Sequence, residues 1–157
     1  MPYIKREDRP FYDAIAYSIL SRLHCSHIKL DLSAELKSLS MRLKSVDLGS
    51  VDGHFNYFLT KLFKESGCMG QIIFFEAWVE PVKDFLIKLL KEVYPPKYFN
   101  YNRGVGMLTC CVKEFRRRYG DDALAVEDLL GYVIDSFYLD VVGPYEDKKI
   151  AENSDVD

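Results

Sequence analysis

The chain has 157 residues, 48% of them hydrophobic and 14% aromatic, and a formal net charge of −3. That length suits one domain that buries its apolar residues in a single core, and that composition excludes a chain left disordered for want of apolar side chains. The greasiest run, Ile72 to Val79, is broken by Glu76 and falls short of the roughly 20 apolar residues that span a bilayer.

The opening MPYIKREDRP reaches charge by its fifth residue and carries no apolar signal segment, so a cytoplasmic location is expected. Cys25, Cys68, Cys110 and Cys111 show no C-x-x-C spacing and two are adjacent, which fits free thiols in a reducing compartment. The charge is uneven. Residues 1–118 carry 19 Lys/Arg against 13 Asp/Glu, whereas residues 119–157 carry 2 against 11. Either the acidic part packs on the basic part, in its own chain or a neighbouring subunit, or a basic surface is left for an anionic partner. The balance does not call for nucleic acid or a membrane.

Asp8 and Pro10 open the first helix, roughly 9–24, with Phe11, Ile15, Ile19 and Leu23 as its apolar stripe. Asp31 or Ser33 caps a second, in which Leu32, Leu36, Leu39, Leu43 and Val46 form a narrow seam that ends before Gly49. Asp52 and Gly53 restart the chain. A third helix with Phe55, Phe58, Leu59, Leu62 and Phe63 then stops at Gly67. Residues 71–93 read as a helix bent or restarted at Pro81, its second half carried by Val82, Phe85, Leu86, Leu89 and Leu90.

Pro95 and Pro96 make residues 94–102 a connector. A helix from about 102 to 119 carries Val105, Leu108, Val112 and Phe115. Asp121 or Asp122 caps a last long helix that turns Leu129, Leu130, Val133, Ile134, Phe137 and Val141 inward and ends at Gly143-Pro144. The expectation is an all-α bundle of about six helices over residues 1–143. The aperiodic residues 144–157 read from composition as a polar tail.

His24, Cys25 and His27, with His54, Cys68, Cys110 or Cys111, would make a zinc site only if the fold gathered them; a polar helix end explains the cluster as well. Glu76, Glu80 and Asp84 recur every four residues, a spacing that suits Mg²⁺ held for phosphate chemistry and equally a solvated helix face neutralised by Lys83 and Lys88. Lys113 and Arg116 to Arg118 offer cations to an anion, though successive guanidiniums point around the helix and the helix dipole alone favours them at a C-terminus. Tyr94, Tyr98, Phe99 and Tyr101 lie near enough in sequence to stack a base or to lid the core. No Walker loop, dinucleotide fingerprint, nucleophile elbow or H-E-x-x-H occurs.

Four segments, MPYIKREDR, HFNYFLTKL (54–62), YNRGVGMLTCCVKEFRRR (101–118) and PYEDKKIAENSDV (144–156), together resemble a family of small bacterial and phage proteins. Its members open MPYI, carry N-Y-x-[IL]-T-x-L and an IGVLEC-like helix ending in Arg-Arg, and finish PYEDKKI-x-ENGDV. The matching positions are Asn56, Tyr57, Thr60, Gly106, Leu108, Cys110, Glu114, Arg117, Arg118, Pro144 to Ile150 and Asn153. Thr109 departs from the family's acid, Ser154 from its Gly and Asp157 from its aromatic residue, and residues around 65–95 and 119–140 are extra. Loss of the acid at Thr109 weakens a catalytic Glu pair on that helix. The resemblance implies that residues 144–157 are ordered and dock on the domain or a neighbouring subunit.

The function expected from these readings is a non-catalytic helical binding module, self-associating, that takes a small anionic ligand such as a nucleotide or a protein partner. A phage protein that sequesters a signalling nucleotide would be one form. Its ligand-binding candidates are Lys113, Arg117, Arg118, Tyr98, Tyr101, Asn56, Tyr57, Thr60, Tyr145, Lys148 and Lys149. It needs no cofactor and no metal. The alternative is a Mg²⁺-dependent, all-helical nucleotide pyrophosphohydrolase using Glu76, Glu80 and Asp84 or Glu114, although the paired E-x-x-E of such enzymes is missing.

Overall fold

A short 3-10 turn, Arg6–Asp8, leads into α1 (Arg9–His24), followed by α2 (Ser33–Ser45), α3 (Leu48–Cys68) and α4 (Glu76–Val93). Helix α5 (Ala123–Phe137) runs through a π turn, Tyr138–Val142, directly into α6 (Gly143–Ser154). This computed structural model describes residues 4–24, 31–68, 76–94 and 123–154, with the single positions 106, 113 and 117. Over those residues the protein is all-α. Helix α1 packs on α3, α2 bridges that pair to α4, and α4 carries α5.

The seams of α2, α3 and α4 face the core as their periodicity requires. Leu39 and Leu43, Phe55, Phe58, Leu59 and Leu62, and Val82, Phe85, Leu86, Leu89 and Leu90 are all buried. On α1 the buried stripe is rotated one residue from the expected one: Tyr12, Ala16, Ile19 and Leu20 are buried, while Phe11 and Ile15 are only partly covered. At the head of α2 the N-cap is Leu32 rather than Asp31 or Ser33, and the Asp31 carboxylate just before it accepts the Ser33 backbone N–H at 2.9 Å.

Three expected breaks are absent. Helix α3 begins at Leu48 and passes through Asp52 and Gly53, so Asp52 is no cap; its carboxylate accepts the Tyr94 hydroxyl from the end of α4. Helix α4 runs through Pro81 without restarting. The chain also does not stop at Gly143-Pro144, and residues 144–154 are helical rather than an irregular tail. The π turn explains the last. A proline ring collides with the carbonyl four residues back and offers no N–H. Widening the preceding turn, so that the Gly143 N–H reaches the Tyr138 carbonyl, relieves both. Gly106, Lys113 and Arg117 are helical, in keeping with the helix expected at 102–119. The connector at 95–102, the Asp121 and Asp122 caps and the rest of that helix lie outside the described residues.

Candidate functional site

Arg9, Tyr12 and Asp13 recur at i, i+3 and i+4 on α1, and His54 and Tyr57 stand three apart on α3, so each set shares one helix face. Packing α1 on α3 brings the two faces together. The Tyr12 hydroxyl and His54 Nδ1 are 2.9 Å apart and buried. Burial pushes the Tyr12 phenol up to about 12 and the His54 imidazole down. At neutral pH both groups are therefore held neutral, and they share one hydrogen bond whose donor is set by the imidazole tautomer. The Tyr57 hydroxyl donates to Asp13 at 2.7 Å, and burial together with that bond raises it to about 12. Arg9 stands 5.8 Å from the Tyr57 ring centroid and donates to the Ile4 carbonyl at 3.2 Å. Arg42 of α2 lies 5.1 Å over Phe11 and 3.4 Å from Asp8.

Two of the resembling segments thus meet, since Arg9 joins Ile4 of the MPYI opening to Tyr57 of the N-Y segment. Chemically this seam is a brace. A general base needs an accessible lone pair and a nucleophile needs an activated one. Here His54 Nδ1 is engaged by the Tyr12 hydroxyl, and the phenols are harder to ionise than in water. Periodicity missed Tyr12 and His54 because their partners are 42 residues apart. It also missed Glu35, a buried carboxylate on α2 whose Oε1 accepts from Ser18 Oγ at 2.9 Å and Arg22 Nε at 2.5 Å.

The expected ligand residues fall on three separate elements. Asn56, Tyr57 and Thr60 are half-buried on α3, with Tyr57 committed to Asp13. Lys113 and Arg117 are exposed and one helical turn apart. Tyr145, Lys148 and Lys149 lie on α6, where Lys149 Nζ is 5.8 Å from the Tyr145 ring and both lysines are exposed. Arg118, Tyr98 and Tyr101 lie outside the described residues. Tyr94, one of the connector tyrosines, is a core residue edge-on to Phe55.

The unbroken α4 keeps Glu76, Glu80 and Asp84 on one face by spacing, but Asp84 is exposed and paired with Lys88 at 2.9 Å. Of the zinc candidates, His54 is bonded to Tyr12, and the side chains of His24, Cys68 and the others lie outside the described residues. Among the described residues no three His, Cys, Asp or Glu gather as metal ligands. A cavity of about 330 Å³ opens between the start of α2 and α4, lined by Asp31, Leu36, Pro81, Asp84, Phe85 and Lys88 among others. Its two carboxylates oppose an anion, and no expected ligand residue lines it.

Among the described residues the large apolar side chains most exposed are Leu139 and Ile150 on the C-terminal helical run and Met41 on α2. Leu139 is 70% exposed and Ile150 64%, while Tyr132 is held by Lys83, whose Nζ is 4.0 Å from the ring centroid. Helix α6 continues directly from the π turn, and the Tyr138 hydroxyl donates to Glu146 at 3.0 Å. No described helix is long and apolar enough to cross a membrane. Comparison with known protein families, curated proteins and solved structures finds no match for this chain.

Proposed function

We propose that the chain is a non-catalytic helical binding module that works as a homo-oligomer, with a small anionic ligand such as a nucleotide as the second thing it holds. The observation that carries this reading is the C-terminal helical run, which keeps Leu139 and Ile150 in water although the core nearby has buried Leu130, Val133, Ile134 and Phe137. Large apolar side chains left exposed on an ordered helix are what a partner surface would cover. Exposed acids on α6, Asp147 among them, fit a contact with a basic surface. Support for the anionic ligand comes from Lys113 and Arg117, exposed one turn apart, and from Lys148 and Lys149 on α6.

The paired seam between α1 and α3 supports a role without chemistry. Light scattering coupled to size exclusion and a thermal-shift panel of nucleotides test the two halves. The reading expects a mass above one chain and a shift with at least one nucleotide. A monomer that no nucleotide shifts contradicts it, and phosphate release from a nucleoside triphosphate with Mg²⁺ or Mn²⁺ would replace it with the hydrolase.

A further inference from the structure

Four elements meet through polar side chains near the start of α1. The Tyr12 hydroxyl of α1 and His54 Nδ1 of α3 share a buried hydrogen bond at 2.9 Å. Two charges act on both of these rings, Asp8 from the 3-10 turn and Arg42 from the last turn of α2. Arg42 stands 3.4 Å from Asp8 and 5.1 Å over the Phe11 ring, so this one side chain ties the end of α2 to the turn and to the beginning of α1. The next charges along α1 are engaged elsewhere, Arg9 with the Ile4 carbonyl and Asp13 with the Tyr57 hydroxyl.

With His54 neutral the junction is balanced, one guanidinium against one carboxylate. A proton on the ring sets two cations against Asp8, in surroundings where like charges repel more strongly than in water. The ring is the group that can be charged near neutral pH. Once charged it donates from both nitrogens, and the Tyr12 oxygen and the Asp8 charge both suit that ion, whereas Arg42 opposes it. One cation has to leave. His54 is 6% exposed and held inside, while the Arg42 side chain is 38% exposed and already reaches water.

We infer that the junction is an acid-released clamp: a proton taken up by His54 expels Arg42 to solvent and unties the end of α2 from the 3-10 turn, while α1 stays on α3. The release is local. Helix α1 keeps its Asp13 bond to Tyr57 at 2.7 Å and its buried Ala16 and Ile19, and α2 keeps Leu39 and Leu43 in the core and Glu35 on Arg22. The device does not depend on self-association. Because the proton and Arg42 oppose each other at one site, removing either must favour the other.

Two-dimensional NMR of the full chain, from about pH 7 downward, follows the His54 ring proton together with the Arg42 side-chain protons, which the Phe11 ring displaces from their ordinary frequencies while Arg42 lies over it. Circular dichroism reads helical content across the same range. The Arg42 signals are expected to return to ordinary frequencies with the His54 midpoint while helical content holds, and in His54→Asn to stay displaced throughout. Arg42→Gln is expected to raise the proton affinity of His54 by roughly three- to tenfold, and Asp8→Asn to lower it by a similar factor. Arg42 signals that ignore the His54 titration, or that move the same way in His54→Asn, overturn the clamp. So does a His54 midpoint that Arg42→Gln leaves in place, or a loss of helical content that accompanies the His54 titration.

Discussion

At Tyr12 and His54 the burial that makes each a poor catalyst makes both into pH-dependent contributors to stability. The unfolded chain protonates His54 near 6.5 and the folded chain only at lower pH, so this stability is complete above about 6.5 and is lost as pH falls through the lowered value. Denaturant midpoints should fall on acidification through that window, and His54→Asn, which keeps an acceptor without the titration, should flatten the fall. Tyr12 and Tyr57 act at the other end. Each ionises near 10 when unfolded and about 12 when folded, so their contribution is present below 10 and is lost as pH rises toward about 12. A spectrophotometric titration should show phenols ionising late, Tyr12 and Tyr57 among them, and the late fraction should shrink in Tyr12→Phe. That substitution leaves buried His54 Nδ1 without its hydrogen-bond partner and should cost about 1–2 kcal/mol in denaturant unfolding. At Glu35 the decisive group is its partner: Arg22→Ala removes the cation from a buried carboxylate and should destabilise by about 2 kcal/mol, reduced from the fully buried case because Arg22 is half exposed. None of these pairs was legible in the sequence. Tyr12 reads as the polar neighbour of Phe11 until α3 supplies its acceptor, and a buried Glu looks like any solvent-facing one.

Element by element, apolar spacing was a good guide and punctuation a poor one. The core faces of α2, α3 and α4 followed from their leucines and phenylalanines, because burial of such side chains outweighs any local preference. Gly49 does stand at a boundary, in the first turn of α3 after α2 has ended at Ser45, whereas Asp52, Gly53 and Pro81 resemble boundaries and lie inside helices. At Gly143-Pro144 the signal was real and its consequence misjudged, since a π turn absorbs the proline and the helix goes on. This separates two glycines. A Cβ at Gly131 meets nothing within 4 Å, so Gly131→Ala should stabilise by about 0.5–1 kcal/mol, as in an open helix interior. At Gly143 a Cβ would stand 3.3 Å from the Tyr138 carbonyl oxygen, so Gly143→Ala should lose that gain by loosening the π turn. Thermal unfolding of the two variants side by side measures the difference.

For the whole molecule, the division of charge between residues 1–118 and 119–157 was visible from composition, and so were its two outcomes, packing within the chain or between chains. Which one holds depends on where α6 goes, and spacing along a sequence carries no information about that. The helix continues past the π turn with Leu139 and Ile150 largely exposed, and we propose that the contact is between copies. Such an association should weaken with added salt, because opposed exposed charges are screened within about 8–10 Å at ordinary ionic strength. The most direct measurement is sedimentation velocity of the full-length chain over a concentration series, beside Leu139→Asp with Ile150→Asp. The account predicts a wild type that moves from monomer to dimer as concentration rises and a folded variant that stays monomeric. A wild type that is monomeric at every concentration, or a variant that dimerises as well as the wild type, would contradict it.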